Sequence, residues 1–165
     1  MTERLVAGIA AIPELRVLGN PQMNMLSFAS DEVSVFHVAD EMRERGWFVQ
    51  PQLAYGSSPE NLHLSINPSS ERWVHELLSD LRECVAAARK LPSGALAARI
   101  REACSGLEAD DVTPELFAGL LAMAGVQGSG LPRRMAEINE VLNALPVPLR
   151  ERLLVEYLND LYRPT

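Results

Sequence analysis

The chain has 165 residues, 47% hydrophobic and 22% charged, enough for one domain with a core or for a small domain plus a helical extension, and too apolar for global disorder. A net charge of −7 and a pI near 5.0 argue against non-specific nucleic-acid binding, which needs clustered Lys and Arg. No apolar run approaches the roughly 18–20 residues of a membrane span, so no transmembrane segment is expected.

Met1–Gly8 lacks the basic leader and sustained apolar core of a signal peptide. It reads as the tail of an amphipathic helix, and a start inside a helix suggests that sequence upstream is missing. Pro13 stops that helix, and Leu15-Arg16-Val17-Leu18 is predicted as a short strand. Gly19-Asn20-Pro21 then turns the chain into Met23–Phe28, where Leu26 and Phe28 alternate with Met25 and Ser27, the period of a strand with one mainly apolar face.

Asp31 is placed to cap the next helix. There Val35, Val38, Ala39 and Met42 recur at helical spacing, and Gly46 ends the run. Trp47-Phe48-Val49 is predicted to open a strand whose far end, at Pro51, is an edge or a bend. The loop Tyr55–Glu60 leads to a strand carrying Leu62, Leu64 and Ile66, ended by Asn67-Pro68. Ser69 or Ser70 is placed to cap a long helix with Val74, Leu77, Leu78, Leu81 and Val85 on one stripe.

From Leu91-Pro92-Ser93-Gly94 onward only helical patterns follow, in four segments. Leu96, Ile100, Ala103 and Leu107 mark the first, and Thr113-Pro114-Glu115 starts the second. The loop 125–130 separates it from a third with Met135, Ile138 and Leu142. In the last, framed by Pro146 and Pro148, Leu154, Tyr157, Leu158 and Leu161 share a face. The predicted fold class is α+β: a mainly antiparallel sheet of three or four strands with helices on one face (residues 1–91), then an all-helical C-terminal extension (92–165).

Little in the chain is built for catalysis. Cys84 and Cys104 lack metal-ligand spacing, the three histidines form no i, i+4 pair, and no metal is expected; buried, reduced thiols in a cytoplasmic protein account for the cysteines. His37 and His75 lie on predicted helices among charged residues and are expected on solvated faces. His63, in an otherwise apolar strand, reads first as a strand-face residue. Asp110-Asp111 suits the start of a helix at Thr113. Gly19-Asn20-Pro21 and Gly128-Ser129-Gly130 both lack the geometry of a phosphate cradle. The one lysine, Lys90, ends a helix, where a cation is favourable, and is not placed as a desolvated Schiff-base nucleophile. No catalytic or cofactor-binding residue is therefore assigned.

Three ordered signals carry a family resemblance over residues 1–90: the strand Leu15–Leu18 into Gly19-Asn20-Pro21-Gln22, the helix ending Arg45-Gly46-Trp47, and the strand Leu62-His63-Leu64-Ser65-Ile66 before the long helix. Together they resemble the small C-terminal domain of fold-type-I pyridoxal-phosphate lyases and decarboxylases, closest to the sphingosine-1-phosphate lyase family. His63 stands where the decarboxylase branch carries an arginine, and no arginine lies between Arg45 and Arg72.

The resemblance implies a C-terminal portion of a pyridoxal-phosphate-dependent carbon–carbon lyase, which cleaves a phosphorylated long-chain amino alcohol to an aldehyde and an amino-alcohol phosphate. The cofactor lysine would lie in a large domain outside this chain. That domain, a homodimer partner and the lipid-like substrate are the implied partners. The chain alone is expected to bind no cofactor and to be inactive. Asn20, Tyr55 and His63 are the implied substrate-facing residues, and the tail beyond residue 95 is longer than the family's usual ending. A decarboxylase fragment, or a stand-alone interaction module with the same fold, is the alternative.

Overall fold

The computed structural model describes residues 1–104, 106, 113, 119, 122 and 132–162. Their chain falls into two compact units, Met1–Pro92 and Ser93–Thr165.

In the first unit, helix α1 (Thr2–Ala10) precedes strands β1 (Arg16–Leu18) and β2 (Met25–Ala29), helix α2 (Val35–Glu44), strands β3 (Gln50–Gln52) and β4 (Asn61–Ser65), a 3-10 helix (Pro68–Trp73) and helix α3 (Val74–Ala88). The four strands form one antiparallel sheet in the order β1-β2-β4-β3. Because side chains alternate across a strand, the register fixes two faces. Val17, Phe28, Leu62 and Pro51 lie in one row across the sheet, with Leu26 opposite Leu64 beside it. Leu26, Phe28, Leu62 and Leu64 are buried. Helices α1 and α2 pack against the sheet and α3 packs against both helices, closing over Leu5, Ile9, Val38, Met42, Leu81 and Val85. Gly8 makes room for the Leu78 side chain, since a Cβ there would collide with it. The other row, Leu18, Ser27, His63 and Gln50, belongs to the opposite face.

Several local expectations are corrected. Helix α2 ends as predicted at Gly46 (φ +86), and the Trp47 N–H donates to the Met42 carbonyl at 2.9 Å. That closure draws residues 47–49 into the helix exit, so β3 begins only at Gln50; Pro51 sits on the edge strand, where its missing N–H costs no ladder bond. Asp31 does not cap α2. It holds Arg16 (3.2 Å), while the Ser30 hydroxyl accepts from the Glu32 and Val33 N–H groups and shapes the approach. Neither Ser69 nor Ser70 caps the following helix: the Asn67 side chain accepts from the Ser69 N–H at 3.1 Å, one residue upstream of Pro68. His37 is buried on α2, because that helix meets both the sheet and α3 and has little face left for solvent; His75 is exposed.

In the second unit, helices α4 (Ala95–Ala103), α5 (Ala136–Ala144) and α6 (Val147–Leu161) are described. Gly94 (φ +76) precedes α4, and its N–H donates to Glu140 at 2.9 Å. Ile100, Cys104, Val141, Leu145, Leu149 and Leu153 form the core. The buried side of α6 is thus set by Leu149 and Leu153. Leu154 and Leu158, on the face the sequence marks as an apolar stripe, are exposed. Among the described residues this unit contains no strand. The start signal at Thr113-Pro114-Glu115, Leu107, Asp110-Asp111 and the loop 125–130 lie, Thr113 apart, outside the described residues.

Candidate functional site

The face of the sheet away from the helices carries the predicted site residues. Gly19 adopts φ +66, a conformation that suits a residue without a Cβ, and brings Asn20 and Pro21 around the end of β1. On β4, His63 is half-buried and lies directly opposite Ser27 of β2 and Gln50 of β3. Directly opposed side chains on antiparallel strands stand about 4.5–5.5 Å apart at Cβ, so hydroxyl, imidazole and amide form a polar row. Asn20 and His63 line one shallow groove of about 410 Å³, together with Leu18, Ser27, Ser58 and Asn61.

Tyr55 is not part of that groove. Tyr55 and Ser58 exchange backbone hydrogen bonds (3.0 and 2.9 Å) around Gly56 (φ +58), forming a two-residue hairpin turn. Ser58 reaches the groove, while the Tyr55 side chain stands 67% exposed at the other end of the same turn. Two of the three predicted residues are therefore brought together and the third is held next door. Ser27, Ser58 and Asn61 are groove residues that sequence reasoning passed over. Period-two alternation puts Asn61 on the His63 face, but the pairing of Ser27 with His63 depends on a cross-strand register that no local pattern reveals.

A second hollow, of about 150 Å³, lies between α1, the end of β4 and the 3-10 helix, walled by Trp47, Phe48, Ile66, Trp73 and Leu77. It contains none of the predicted residues. Trp47 is fixed there by its Nε1–H, which donates to Asp80 on α3 at 2.6 Å.

The residues present do not fit pyridoxal phosphate as a covalently held group. Lys90 is exposed just beyond α3, not in the desolvated setting a Schiff-base lysine needs. Cys84 is equally unsuited to nucleophilic chemistry: it is buried, and burial pushes its thiol up from 9.0 to about 11, although the Arg45 guanidinium, donating to its Sγ at 3.1 Å, pulls the other way. Burial likewise raises Cys104. No helix among the described residues is long and apolar enough to cross a membrane.

Residues 85–160 match the family described as "Pyridoxal-dependent enzyme, C-terminal putative HTH domain". The helical tail thus has a family match of its own. Sphingosine-1-phosphate lyase of Oryza sativa subsp. japonica is 32% identical over 85 residues, 52% of this chain and 15% of the relative. The Arabidopsis thaliana lyase is 32% identical over 91 residues, 55% of this chain and 16% of the relative. Among solved structures, a sphingosine-1-phosphate lyase of Burkholderia pseudomallei is 32% identical, covering 62% of this chain and 21% of that one, with a TM-score of 0.47. The chain spans about 15% of the length of the curated relatives it matches. Over about half its length it resembles part of sphingosine-1-phosphate lyases, and its second half matches a C-terminal domain described for pyridoxal-dependent enzymes.

Proposed function

We propose that this chain is the C-terminal portion of a pyridoxal-phosphate-dependent carbon–carbon lyase, acting on a phosphorylated long-chain amino alcohol in the cytoplasm. The observation that carries the reading is its one-third identity to lyases of that name over half the chain, beside a match of residues 85–160 to a C-terminal domain of pyridoxal-dependent enzymes. The polar face of the sheet, with Asn20 and His63 in its groove and Tyr55 beside it, is the surface turned toward the substrate. The large domain supplies the lysine and the cofactor, and two copies of the enzyme form a homodimer. Bound in that large domain, the cofactor supplies the electron sink for breaking the carbon–carbon bond. This chain's part is to close one wall of the site and orient the substrate. His63 on β4, with no arginine between Arg45 and Arg72, supports the lyase over a decarboxylase.

A chimera tests this. The chain is exchanged for the homologous region of the Oryza sativa lyase, and cleavage of a phosphorylated sphingoid base is measured. Retained cleavage is expected, while the isolated 165-residue chain shows none. An inactive but folded chimera favours the interaction module. Visible absorbance from added pyridoxal phosphate that is lost in Lys90→Ala would contradict the view that this chain holds no cofactor.

A further inference from the structure

We propose that the second hollow, between α1, the end of β4 and the 3-10 helix, is a binding site for a small methylated ammonium cation, held against the rings of Trp47, Phe48 and Trp73. The site is distinct from the groove of Asn20 and His63 and does not depend on the lyase reading.

Three observations lead to it. First, the wall is aromatic. Both tryptophans of the chain line this one hollow with Phe48, together with Leu5, Leu64 and Ile66. Phe48 is 73% exposed and Trp73 43%, so two large rings stand in water where packing within the unit makes little use of them. Second, the rings already serve charge. The Arg72 guanidinium lies over the Trp73 ring, 4.9 Å from its centroid. The hydrogen bond from Trp47 Nε1–H to Asp80, at 2.6 Å, fixes the indole, leaves it more electron-rich and sets a carboxylate beside it. Third, the polar groups suit a cation without N–H donors. Among the described residues, no Asp, Glu, His, Lys or Arg side chain lines the hollow. Its one side-chain amide, Asn67, already accepts from the Ser69 N–H at 3.1 Å and the Ser69 hydroxyl at 3.0 Å. A primary ammonium carries three N–H donors that need acceptors, and the side chains here offer only the hydroxyls of Ser65 and Ser70. A methylated ammonium needs none, and its methyl groups pack on Leu5 and Ile66 while its charge meets the ring faces.

Size and field agree with that choice. A hollow of about 150 Å³ admits a group about as large as benzene, which matches a trimethylammonium head. The net charge of −7 favours the approach of a cation over that of an anion. Two groups oppose it. Arg72 already uses the Trp73 ring, and Met1, whose α-amino group is a cation, also lines the hollow. Removing either charge should therefore tighten binding.

The full chain is titrated with choline and with tetramethylammonium at constant ionic strength, and the indole N–H resonances of Trp47 and Trp73 are followed by NMR. Saturable shifts of both are expected, with dissociation in the millimolar range. Ethanolamine, and the uncharged isostere of choline in which tert-butyl replaces trimethylammonium, should each bind at least about fivefold more weakly. Trp73→Leu keeps apolar bulk at the exposed end of the 3-10 helix and should weaken choline about fivefold, read on Trp47, while Trp73→Tyr should restore most of the affinity. Arg72→Ala, and acetylation of the Met1 amine, should each tighten binding. Vesicles separate two sources of the same group: co-sedimentation with phosphatidylcholine but not phosphatidylglycerol assigns a lipid headgroup, and binding of free choline alone assigns a soluble cation. Equal binding of the uncharged isostere reduces the hollow to an apolar cleft and overturns the proposal. Unsaturable shifts, an affinity unchanged in Trp73→Leu, or weaker binding in Arg72→Ala also overturn it. A preference for ethanolamine over choline overturns the methylated cation in favour of a primary amine.

Discussion

Gly46 closes helix α2 with φ +86, and no atom stands within 4 Å of where its Cβ would be. The cost of a side chain there is therefore conformational, not steric. Gly46→Ala should lower stability by about 1–2 kcal/mol, measured by urea unfolding; an unchanged midpoint would mean that the helix end refolds without the left-handed residue. This stop was legible in sequence, because a glycine directly after an amphipathic run has one dominant use. The role of Asp31 was not: the side chain was free to choose between a nearby helix end and Arg16, and only the fold brings Arg16 within 3.2 Å. His37 was misplaced for a related reason, since the number of faces a helix buries depends on partners distant in sequence. The Cys84 thiol carries a pH signature. Its folded form keeps the proton up to about pH 11, against 9.0 ordinarily, because burial disfavours the thiolate. The contribution is whole below the unfolded value and is lost as pH rises from 9.0 toward about 11. Stability should fall through that window more steeply in the native chain than in Cys84→Ala. Parallel curves would show that the thiol does not titrate differently on unfolding.

At the scale of elements, the apolar stripes identified α2, α3 and the inner sides of β2 and β4, because burial on one face imposes periods of 3.6 and 2. Leu81 lies at the centre of α3 and is completely buried. Leu81→Ala should cost about 2–5 kcal/mol, through lost burial and the cavity left behind. A loss below about 1 kcal/mol would place the α3 stripe outside the core. Leu77 and Leu78, on the same stripe, are only half-buried, so their truncation should cost less. The candidate groove was less legible than the helices. Asn20 and His63 lie 43 positions apart and meet only because β2 pairs with both β1 and β4. On α6 the apolar stripe of Leu154, Tyr157, Leu158 and Leu161 was legible in the sequence, while the inward side, met by Leu149 and Leu153 in its first turns, was not.

Across the whole molecule, each unit has its own core, that of the second built from Ile100, Cys104, Val141, Leu145, Leu149 and Leu153. A fragment ending at Pro92 should accordingly unfold cooperatively by itself, with near-native helix and strand content by circular dichroism; loss of the cooperative transition would make the first unit dependent on the second. The exposed side of α6 leads to the final expectation. Leu154, Val155, Leu158 and Tyr162 are 37, 51, 50 and 79% exposed, and their spacing sets them along one side of the helix. Arg152 and Glu156 beside them neutralise each other at 2.7 Å, so little net charge opposes a close approach. A stripe of this kind on an acidic helical unit suits a protein partner and not a phosphate backbone. Without the remainder of a larger enzyme, the chain should self-associate through these helices, giving a concentration-dependent sedimentation coefficient in the micromolar range. Leu158→Glu should return it to monomer, whereas Met25→Glu, on the exposed face of β2, should leave the association unchanged. Association abolished by Met25→Glu and untouched by Leu158→Glu would move the contact to the sheet, and a monomer at every concentration would show that the α6 stripe needs no partner.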